Sequence, residues 1–342
     1  MKKLKQSIIF SLIVISLSIV GCSHSDAPDI LEISGQTMGT WYSVKMVDLP
    51  KAVNTDQVSE VIQWELDNVN DKMSTYQPGS ELSKLNRAAV SEPFTVSEDT
   101  FEVLSKSLEI WRLSEGAFDI TVGPLVNLWG FGPENRPHTI PDPEAMKKAW
   151  NRVGSDGLSL HIDDFQVEKS KDLYLDLSAI AKGYAVDRVA QALEDLGVRR
   201  YMVEVGGEIK VGNNKAHNLP WQVAVEEPVE DLRRVHRVLK LNNVAMATSG
   251  DYRNYYEFDG KRYSHTIDPR NGQPIDHRLV SATVIMPQCA SADAWATAMM
   301  VLGPKQGMEV AEANHLAVYL ILKTEKGLVT HHSTAFKQYM DQ

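Results

Sequence analysis

The sequence predicts an α+β fold with mixed sheets and packed helices. Alternating segments typical of strands and amphipathic segments with helical spacing both occur, but they do not follow each other in the regular order of a βαβ protein. The 342 residues are 43% hydrophobic and 23% charged, which is ordinary for a globular core. We find no linker between independent domains, so residues 35–342 are expected to fold as one domain.

The first 21 residues are typical of an export signal. Basic MKKLKQ precedes an apolar run, IIFSLIVISLSIVGC, that is short and wrongly flanked for a transmembrane helix. Its ending resembles a bacterial lipobox, in which Cys22 becomes the lipidated N-terminus; a plain signal peptide with a chance cysteine is the alternative. We expect a lipoprotein signal peptide at 1–21, a lipidated tether at 22–34, and a periplasmic protein anchored by acyl chains to the inner membrane. Ser23 leaves the outer membrane as an alternative.

Cysteine content and net charge exclude some classes of protein. If Cys22 carries lipid, Cys289 has no partner for an intrachain disulfide, and we expect it to be a small buried residue. The formal net charge of −10 argues against nucleic acid as a partner.

The first half predicts one strand and two amphipathic helices. GQTMGTWYSVKMV alternates into a strand, with Met38 in its turn-like, glycine-rich start. Apolar residues from Val58 to Met73 recur at helical spacing and lead into MSTYQPGSELSKLN. A second helix begins near Ser97 and ends in the loop SEGAFDITVGPLVNLWGFGP. Residues 133–150 are expected to form a proline-rich connection and a short helix.

The second half predicts shorter elements. LYLDLSAIAKGYAVDRVAQALEDLGV indicates a strand, a turn and a helix with Ser178 as N-cap and a stop at Gly197. YMVEVGGEIKVGN indicates a strand interrupted by a glycine pair, which either admits a ligand close to the backbone or marks a bulge. Asp259-Gly260 predicts a hairpin turn. LVSATVIM predicts a strand, and LAVYLILK with GLVTHHS predicts a closing hairpin.

The helix SADAWATAMM places two oxygen-bearing side chains on one face. Ser291 is a good N-cap, Gly303 begins the stop, and Asp293 and Thr297 lie one turn apart. A carboxylate and a hydroxyl opposite a loop carbonyl form a hard oxygen site that suits Mg²⁺. The structural alternatives are that Asp293 bonds orphan helix N–H groups and that Thr297 bonds back to the carbonyl one turn earlier.

Three other polar residues stand out from their surroundings. Asp176 interrupts an apolar run and either serves a ligand or caps the following helix. Lys182 either meets a phosphate or a ring edge, or faces solvent. His265 lies between a predicted strand and a turn. No Cys/His spacing suggests zinc and no Walker-type motif is present, so the residues predict a metal-assisted site for a phosphorylated ligand.

A series of motifs follows one recognisable order along nearly the whole mature chain. After the lipobox come GQTMGTWYSV, MSTYQPGSELSKLN, GAFDITVGPL, LDLSAIAKGYAVD, VEVGGEI, SHTIDPRNGQPI and SADAWATA. In this order they resemble the ApbE family, the bacterial FAD:protein FMN transferases. The resemblance implies a tunnelling-fold-like flavin transferase architecture that splits FAD and attaches FMN through a phosphoester to a Thr or Ser hydroxyl, releasing AMP. The implied acceptors are exported flavoprotein subunits of the sodium-pumping quinone reductase and the Rnf complex.

The resemblance also implies the site residues. For FAD they are Met38, Tyr76, Ala117, Phe118, Asp119, Asp176, Lys182 and Ile267. For Mg²⁺ they are the side chains of Asp293 and Thr297 with backbone oxygens of Ala179 and Ala296. Removal of the acceptor proton needs a base, and an imidazole titrates near ~6.5, so we expect His265 to be that base. Asp176 is the alternative base, and a structural role beside the flavin is the competing interpretation of His265.

Two other functions compete with transfer to a protein. In an FAD pyrophosphatase, water replaces the acceptor hydroxyl and free FMN and AMP appear. A non-catalytic flavin-binding lipoprotein needs no metal at the scissile phosphates, so the pair Asp293 and Thr297 argues against it. Tyr76, Phe118 and Trp129 are candidates to cover the isoalloxazine, although core packing explains Trp129 as well.

Overall fold

The chain folds around one long sheet. A computed structural model describes residues 30–132, 139–229, 234–252 and 254–340. The predicted signal peptide, Cys22 and tether residues 22–29 lie outside these ranges. Among the described residues, no helix has the length and apolar character needed to cross a bilayer.

The strands within the described ranges are short to medium in length. They are β1 (Leu31–Thr37), β2 (Thr40–Val47), β3 (Phe94–Thr95), β4 (Leu158–His161), β5 (Gln166–Lys169), β6 (Arg200–Val205), β7 (Glu208–Val211), β8 (Trp221–Glu226), β9 (Val235–Leu241), β10 (Val244–Gly250), β11 (Tyr255–Phe258), β12 (Lys261–Ser264), β13 (Ile267–Asp268), β14 (Gln273–Pro274), β15 (Leu279–Met286), β16 (Ala317–Thr324) and β17 (Gly327–His332).

The helices of the same ranges mostly carry one apolar face. They are α1 (Thr55–Met73), α2 (Glu81–Arg87), α3 (Glu98–Leu113), α4 (Gly123–Leu128), α5 (Pro143–Trp150), α6 (Ala181–Asp195) and α7 (Cys289–Ala313).

Eight strands form the main sheet in the order β1-β2-β6-β7-β10-β15-β16-β17. The predicted α+β class is confirmed. Every strand pair among the described residues is antiparallel, so the sheets are not mixed in direction. Hairpins such as β6–β7 and β16–β17 join neighbouring strands directly, and an antiparallel pair needs only such a short turn.

The two faces of the main sheet are covered differently. Helices α1, α3, α6 and α7 pack on one face and share the largest apolar cluster with it. The hairpin β8–β9 and Phe336 cover the other face. A third cluster, which includes Trp129 and Ile267, lies beneath α4, α5 and the β11–β12 hairpin.

Several predicted elements are confirmed. The apolar stripe of α1 is buried, and the Ser97 side chain caps α3. Asp259 and Gly260 form the β11–β12 turn, and β16–β17 is the predicted closing hairpin. Cys289 is a free, fully buried thiol.

Two predictions for the N-terminal side need correction. Strand β1 already begins at Leu31, so residues 31–34 belong to the sheet and not to a tether. The predicted turn at Met38 is confirmed, with a positive φ of 49°, but it connects β1 and β2 and does not open a single strand. The segment that was predicted to be one strand is therefore the β1–β2 hairpin.

The predicted strand and cap before α6 are also wrong. The segment around Leu175 joins no sheet. The Asn86 side chain supplies the hydrogen bonds that a neighbouring strand would give: its amide N–H donates to Leu175 O at 2.9 Å, and its amide oxygen accepts from Leu175 N–H at 2.7 Å. Ser178 does not cap α6, whose N-cap is Ile180. Instead Asp176 accepts hydrogen bonds from the Ser178 N–H and hydroxyl, at 2.8 and 2.5 Å.

Helix α7 differs from its prediction at its start. It begins at Cys289 after the N-cap position Gln288, so Ser291 lies inside its first turn. The predicted stop at Gly303 is a break with φ 73°, after which the chain continues in helical conformation to Ala313.

Candidate active site

The N-terminal turns of α6 and α7 pack against each other within the largest apolar cluster. Asp293 Oδ2 of α7 accepts a hydrogen bond from the Gly183 N–H of α6 at 3.0 Å. In return, Asp187 Oδ2 of α6 accepts one from the Ala290 N–H of α7 at 2.9 Å. The first N–H groups of a helix lack partners within it, so each helix caps the other. A Cβ on Gly183 would lie 2.4 Å from the Cys289 carbonyl oxygen, so the crossing requires glycine.

A cavity of about 370 Å³ opens beside this crossing. Its wall contains most of the predicted site residues, contributed by the loop before α4, the turn into α6, the loop around β13 and helix α7. They are Ala117, Phe118, Asp119, Asp176, Ala179, Lys182, His265, Ile267, Asp293 and Thr297.

Charged groups of opposite sign meet on one side of this cavity. Lys182 Nζ lies 2.8 Å from Glu208 Oε1 and 3.8 Å from Asp293 Oδ1. Burial alone would lower the pKa of Lys182, but the carboxylates of Asp293 and Glu208 outweigh it and raise that pKa. Burial raises the pKa of Asp293, opposed by the Lys182 ammonium and the Gly183 N–H. Lys182 is therefore a cation at the cavity wall: its side chain is still 30% exposed, but its ammonium is paired with carboxylates and does not simply face solvent.

Hydroxyl groups continue the polar wall. Thr297 Oγ1 lies 3.2 Å from Ser249 Oγ of β10, so its side chain turns toward the cavity. Thr248, also in the wall, pairs through its hydroxyl with Thr283 at 2.8 Å. Asp293 and Thr297 thus share one face of α7, as their spacing predicted, and that face is directed at the cavity.

His265 lies between β12 and β13 with a defined tautomer. Its Nδ1 is 2.9 Å from the Asn254 carbonyl oxygen, which only accepts hydrogen bonds, so Nδ1 carries the proton. Burial lowers the pKa of His265 from its ordinary 6.5, although the bond to Asn254 opposes the shift. At neutral pH the ring is uncharged and Nε2 keeps its lone pair, which is the form that a general base requires.

A second cavity, of about 630 Å³, adjoins the first. It contains Met38 and Tyr76, and its wall shares Ser178 and Lys182 with the first cavity. Tyr76 is 70% exposed, so its ring is available at the mouth. The two cavities together form a cleft for an elongated ligand, with the Lys182 ammonium at the junction.

Three predicted residues have positions that limit their roles. Asp119 lies in the wall, but its Oδ1 accepts from Ser155 Oγ at 2.7 Å and Thr121 N–H at 2.8 Å, so it fixes the loop rather than offering a free carboxylate. Ala296 is fully buried in α7 and is not part of the described cavity wall. Trp129 is 2% exposed in the third apolar cluster and donates to Gly272 O at 2.9 Å, which favours core packing over flavin contact.

Sequence reasoning missed Glu208. This carboxylate is 4% exposed, lies in the cavity wall and has one oxygen, Oε2, without a hydrogen-bond partner. The available signal was a charged residue directly after Gly206-Gly207 at the start of an apolar strand, in the motif VEVGGEI. The two glycines of this motif form the β6–β7 turn, with φ of 62° and 105°.

The donor set fits a hard divalent cation. Asp293 Oδ1 and the Thr297 hydroxyl are oxygens on the cavity wall, and the Ala179 backbone lies in the same wall. The described residues contain no cluster of three or more His, Cys, Asp or Glu arranged to hold a metal ion. Two side-chain oxygens completed by backbone and phosphate oxygens suit Mg²⁺ better than zinc or copper.

Fold and site define a class: an α+β protein with two adjoining cavities that share a lysine, one of them lined by an acidic and hydroxyl-bearing helix face and a histidine. The chain belongs to the ApbE family, whose model matches residues 38–320. It is 46% identical to the FAD:protein FMN transferase of Haemophilus influenzae, over 99% of this chain and 98% of that protein.

Two solved structures extend the likeness to the fold. The flavin transferase ApbE from Vibrio cholerae is 43% identical and superposes with a TM-score of 0.85 over 91% of this chain and 99% of that one. The apo flavinyl transferase ApbE of Pseudomonas stutzeri is 35% identical, with a TM-score of 0.84 over 92% and 98% of the two chains.

Proposed function

We propose that this chain is a flavin transferase that moves the FMN half of FAD to a target protein. The observation that carries the proposal is one cavity wall that collects Lys182, Asp293, Thr297 and an uncharged His265 beside room for an elongated ligand. Membership of a family whose relatives are named for this activity gives it independent support.

The reaction is a displacement at phosphorus. A Thr or Ser hydroxyl of the acceptor attacks the FMN-side phosphorus of FAD and forms the phosphoester bond. The bond from that phosphorus to the bridging oxygen breaks, and AMP leaves with the bridging oxygen. The hydroxyl proton passes to Nε2 of His265, which is free because Nδ1 is bonded to Asn254. Asp176 is the weaker candidate for this role, since its Oδ1 already accepts two hydrogen bonds from Ser178.

FAD lies across both cavities in this proposal. Met38 and Tyr76 contact it in the larger cavity, and Ala117, Phe118 and Ile267 contact it in the smaller one. Lys182 stands at the junction, where its ammonium pairs with a pyrophosphate oxygen. Asp119 and Asp176 support this cleft by ordering the loops that carry them.

The side chains of Asp293 and Thr297 would hold Mg²⁺ with the backbone oxygen of Ala179, whereas Ala296 is fully buried and lies outside the described cavity wall. A bound divalent ion neutralises the charge that develops on phosphoryl oxygens as the pyrophosphate is cleaved. Within the chain itself, Gly183 fixes the orientation of the Asp293 carboxylate and Ser249 that of the Thr297 hydroxyl.

Intact mass of an acceptor tests this function directly. The protein is incubated with FAD, Mg²⁺ and an exported flavoprotein subunit of a sodium-pumping quinone reductase. A mass increase of one FMN phosphoester on the subunit supports transfer. Free FMN and AMP with an unchanged subunit would show a pyrophosphatase instead, and unchanged FAD would show a binding protein.

We further propose that the protein works in the periplasm, held to the inner membrane through lipid on Cys22. The support is the lipobox at the end of the signal sequence. Labelling with a fatty acid in cells tests it: the label is expected on the parent protein and absent from a Cys22→Ala variant. A labelled Cys22→Ala variant would contradict the assignment, and membrane fractionation distinguishes inner from outer membrane.

A further inference from the structure

Glu208 reaches the cavity because of the turn before it. Gly206 and Gly207 adopt left-handed conformations and reverse the chain between β6 and β7. A Cβ on Gly206 would lie 3.3 Å from Lys182 Cδ and 3.0 Å from Thr40 Cγ2, so this turn also leaves room for the lysine side chain. The turn thus brings Glu208 and Lys182 together from two distant parts of the sequence.

Two buried carboxylates compete for one ammonium at this point. Lys182 Nζ is within hydrogen-bond distance of Glu208 Oε1, at 2.8 Å, but is 3.8 Å from Asp293 Oδ1. The other oxygen of Asp293 is bonded to the Gly183 N–H. Oδ1 is therefore the Asp293 oxygen that remains for a metal ion, and Lys182 is the nearest cation that would occupy it instead.

We propose that Glu208 is a positioning residue, which holds the Lys182 ammonium and so keeps Asp293 Oδ1 available to a divalent cation. This inference rests on the proposed function, since it assigns a reason for metal binding at Asp293. In the proposed function, Glu208 itself contacts neither the scissile phosphates nor the metal ion.

The Lys182 ammonium can pair with either of two buried carboxylates. Without the Glu208 contact, the ammonium needs to move only about 1 Å to make a direct pair with Asp293, and charge pairs are strong at low dielectric. A divalent cation would then have to displace this ammonium. With Glu208 present, Lys182 keeps its own counter-ion and remains directed at the junction of the two cavities.

Binding of Mn²⁺ to the mature chain in the presence of FAD tests the inference without measuring turnover. Titrations are made at pH 8 by electron paramagnetic resonance. Glu208→Gln removes the charge, and Glu208→Asp keeps the charge but shortens the side chain so that the 2.8 Å contact is lost. We expect both to weaken Mn²⁺ binding by about tenfold or more, roughly the free energy of one buried contact.

The chain offers a closely matched control. Glu65 is 5% exposed and pairs with Arg188 of α6, at 3.2 Å, outside the cavity. Glu65→Gln is expected to change Mn²⁺ affinity by no more than about twofold. Thermal unfolding of each variant without metal identifies any loss of fold, which would be seen as a lost transition.

A double variant separates positioning from a general effect on the site. Lys182→Met removes the competing ammonium, and because it also removes the pair with the pyrophosphate it serves as the reference; adding Glu208→Gln to Lys182→Met is expected to change Mn²⁺ affinity by no more than about threefold. Parental affinity in Glu208→Gln or in Glu208→Asp, or a tenfold loss when Glu208→Gln is added to Lys182→Met, would overturn the inference and leave the proposed function intact. A parent protein that binds no Mn²⁺ with FAD would overturn both.

Discussion

The Asp293 carboxylate accepts a hydrogen bond from the Gly183 N–H of another helix, at 3.0 Å. One oxygen thereby caps α6, while the other faces the cavity and Lys182. The structural and the functional interpretation of Asp293 are therefore not exclusive. The cap fixes the direction of the carboxylate, and a fixed carboxylate is what a metal site requires.

Asp293→Asn and Asp293→Ala are expected to separate these two uses. Asn keeps an oxygen that accepts from Gly183, whereas Ala leaves that N–H without a partner. We expect the Ala variant to be less stable than the Asn variant by about 1 kcal/mol, the usual value of a helix cap, and both to lose Mg²⁺-dependent transfer.

Urea unfolding and single-turnover transfer measure the two effects. Identical urea midpoints for the Asn and Ala variants would show that the hydrogen bond from the Gly183 N–H does not stabilise the fold. If Asp293→Asn transfers at the parental rate over a magnesium titration, Asp293 is not a ligand of the magnesium ion.

The α7 face was predictable from sequence because it depends on local geometry. A spacing of four residues puts Asp293 and Thr297 on one side of any helix, whatever surrounds it. The partner of Asp293 was not predictable, since Gly183 lies more than a hundred positions away in sequence. The same reason explains why Glu208 was missed: its burial and its contact with Lys182 arise only when β7 packs beside α6.

The errors before α6 have a related cause. The residues around Leu175 have the composition of a strand, but a side-chain amide, Asn86, supplies the hydrogen bonds that a neighbouring strand would give. Sequence pattern reports burial and extension, and it does not report which group satisfies the backbone. The predicted cap by Asp176 is wrong, because its carboxylate orders the turn at Ser178 ahead of the helix and does not cap α6.

Gly183→Ala is expected to destabilise the protein by about 2 kcal/mol or more. The added Cβ would meet the Cys289 carbonyl oxygen at 2.4 Å, and backbone on both sides prevents an easy adjustment. Gly79→Ala is the control, because a Cβ there has nothing within 4 Å. Denaturant unfolding compares the two, and equal midpoints would contradict the close helix crossing.

Asp119→Ala is expected to cost about 2–3 kcal/mol of stability, because it leaves the buried hydroxyls of Thr121 and Ser155 without an acceptor. Asp156, which follows Ser155 in the sequence, is the control. Its side chain is 68% exposed and lies 3.7 Å from Lys171 Nζ. Asp156→Ala should therefore change the free energy of unfolding by less than about 0.5 kcal/mol. Calorimetric unfolding measures both. An Asp119→Ala variant with parental stability but weak FAD binding would show instead that its carboxylate serves the ligand.

The pH dependence of transfer is the sharpest test of His265. Its pKa is lowered by burial from 6.5, so the uncharged, proton-accepting ring predominates at neutral pH. The single-turnover rate is therefore expected to be insensitive to this group at neutral pH and above, and to fall only as the pH drops through the lowered pKa of the ring. Replacement by Gln removes the base and should slow transfer by about 10²–10⁴-fold while FAD binding persists.

Comparison of the full pH profiles assigns the titration to a residue. Burial raises the pKa of Glu208 to about 7, despite the nearby Lys182, so this carboxyl can add a titration of its own. A change of the transfer rate with pH that is due to Glu208 persists in His265→Gln, whereas the change that is due to titration of the base disappears. If His265→Gln keeps every limb of the parental profile and its rate, the proton passes to another acceptor, and Asp176 becomes the residue to replace next.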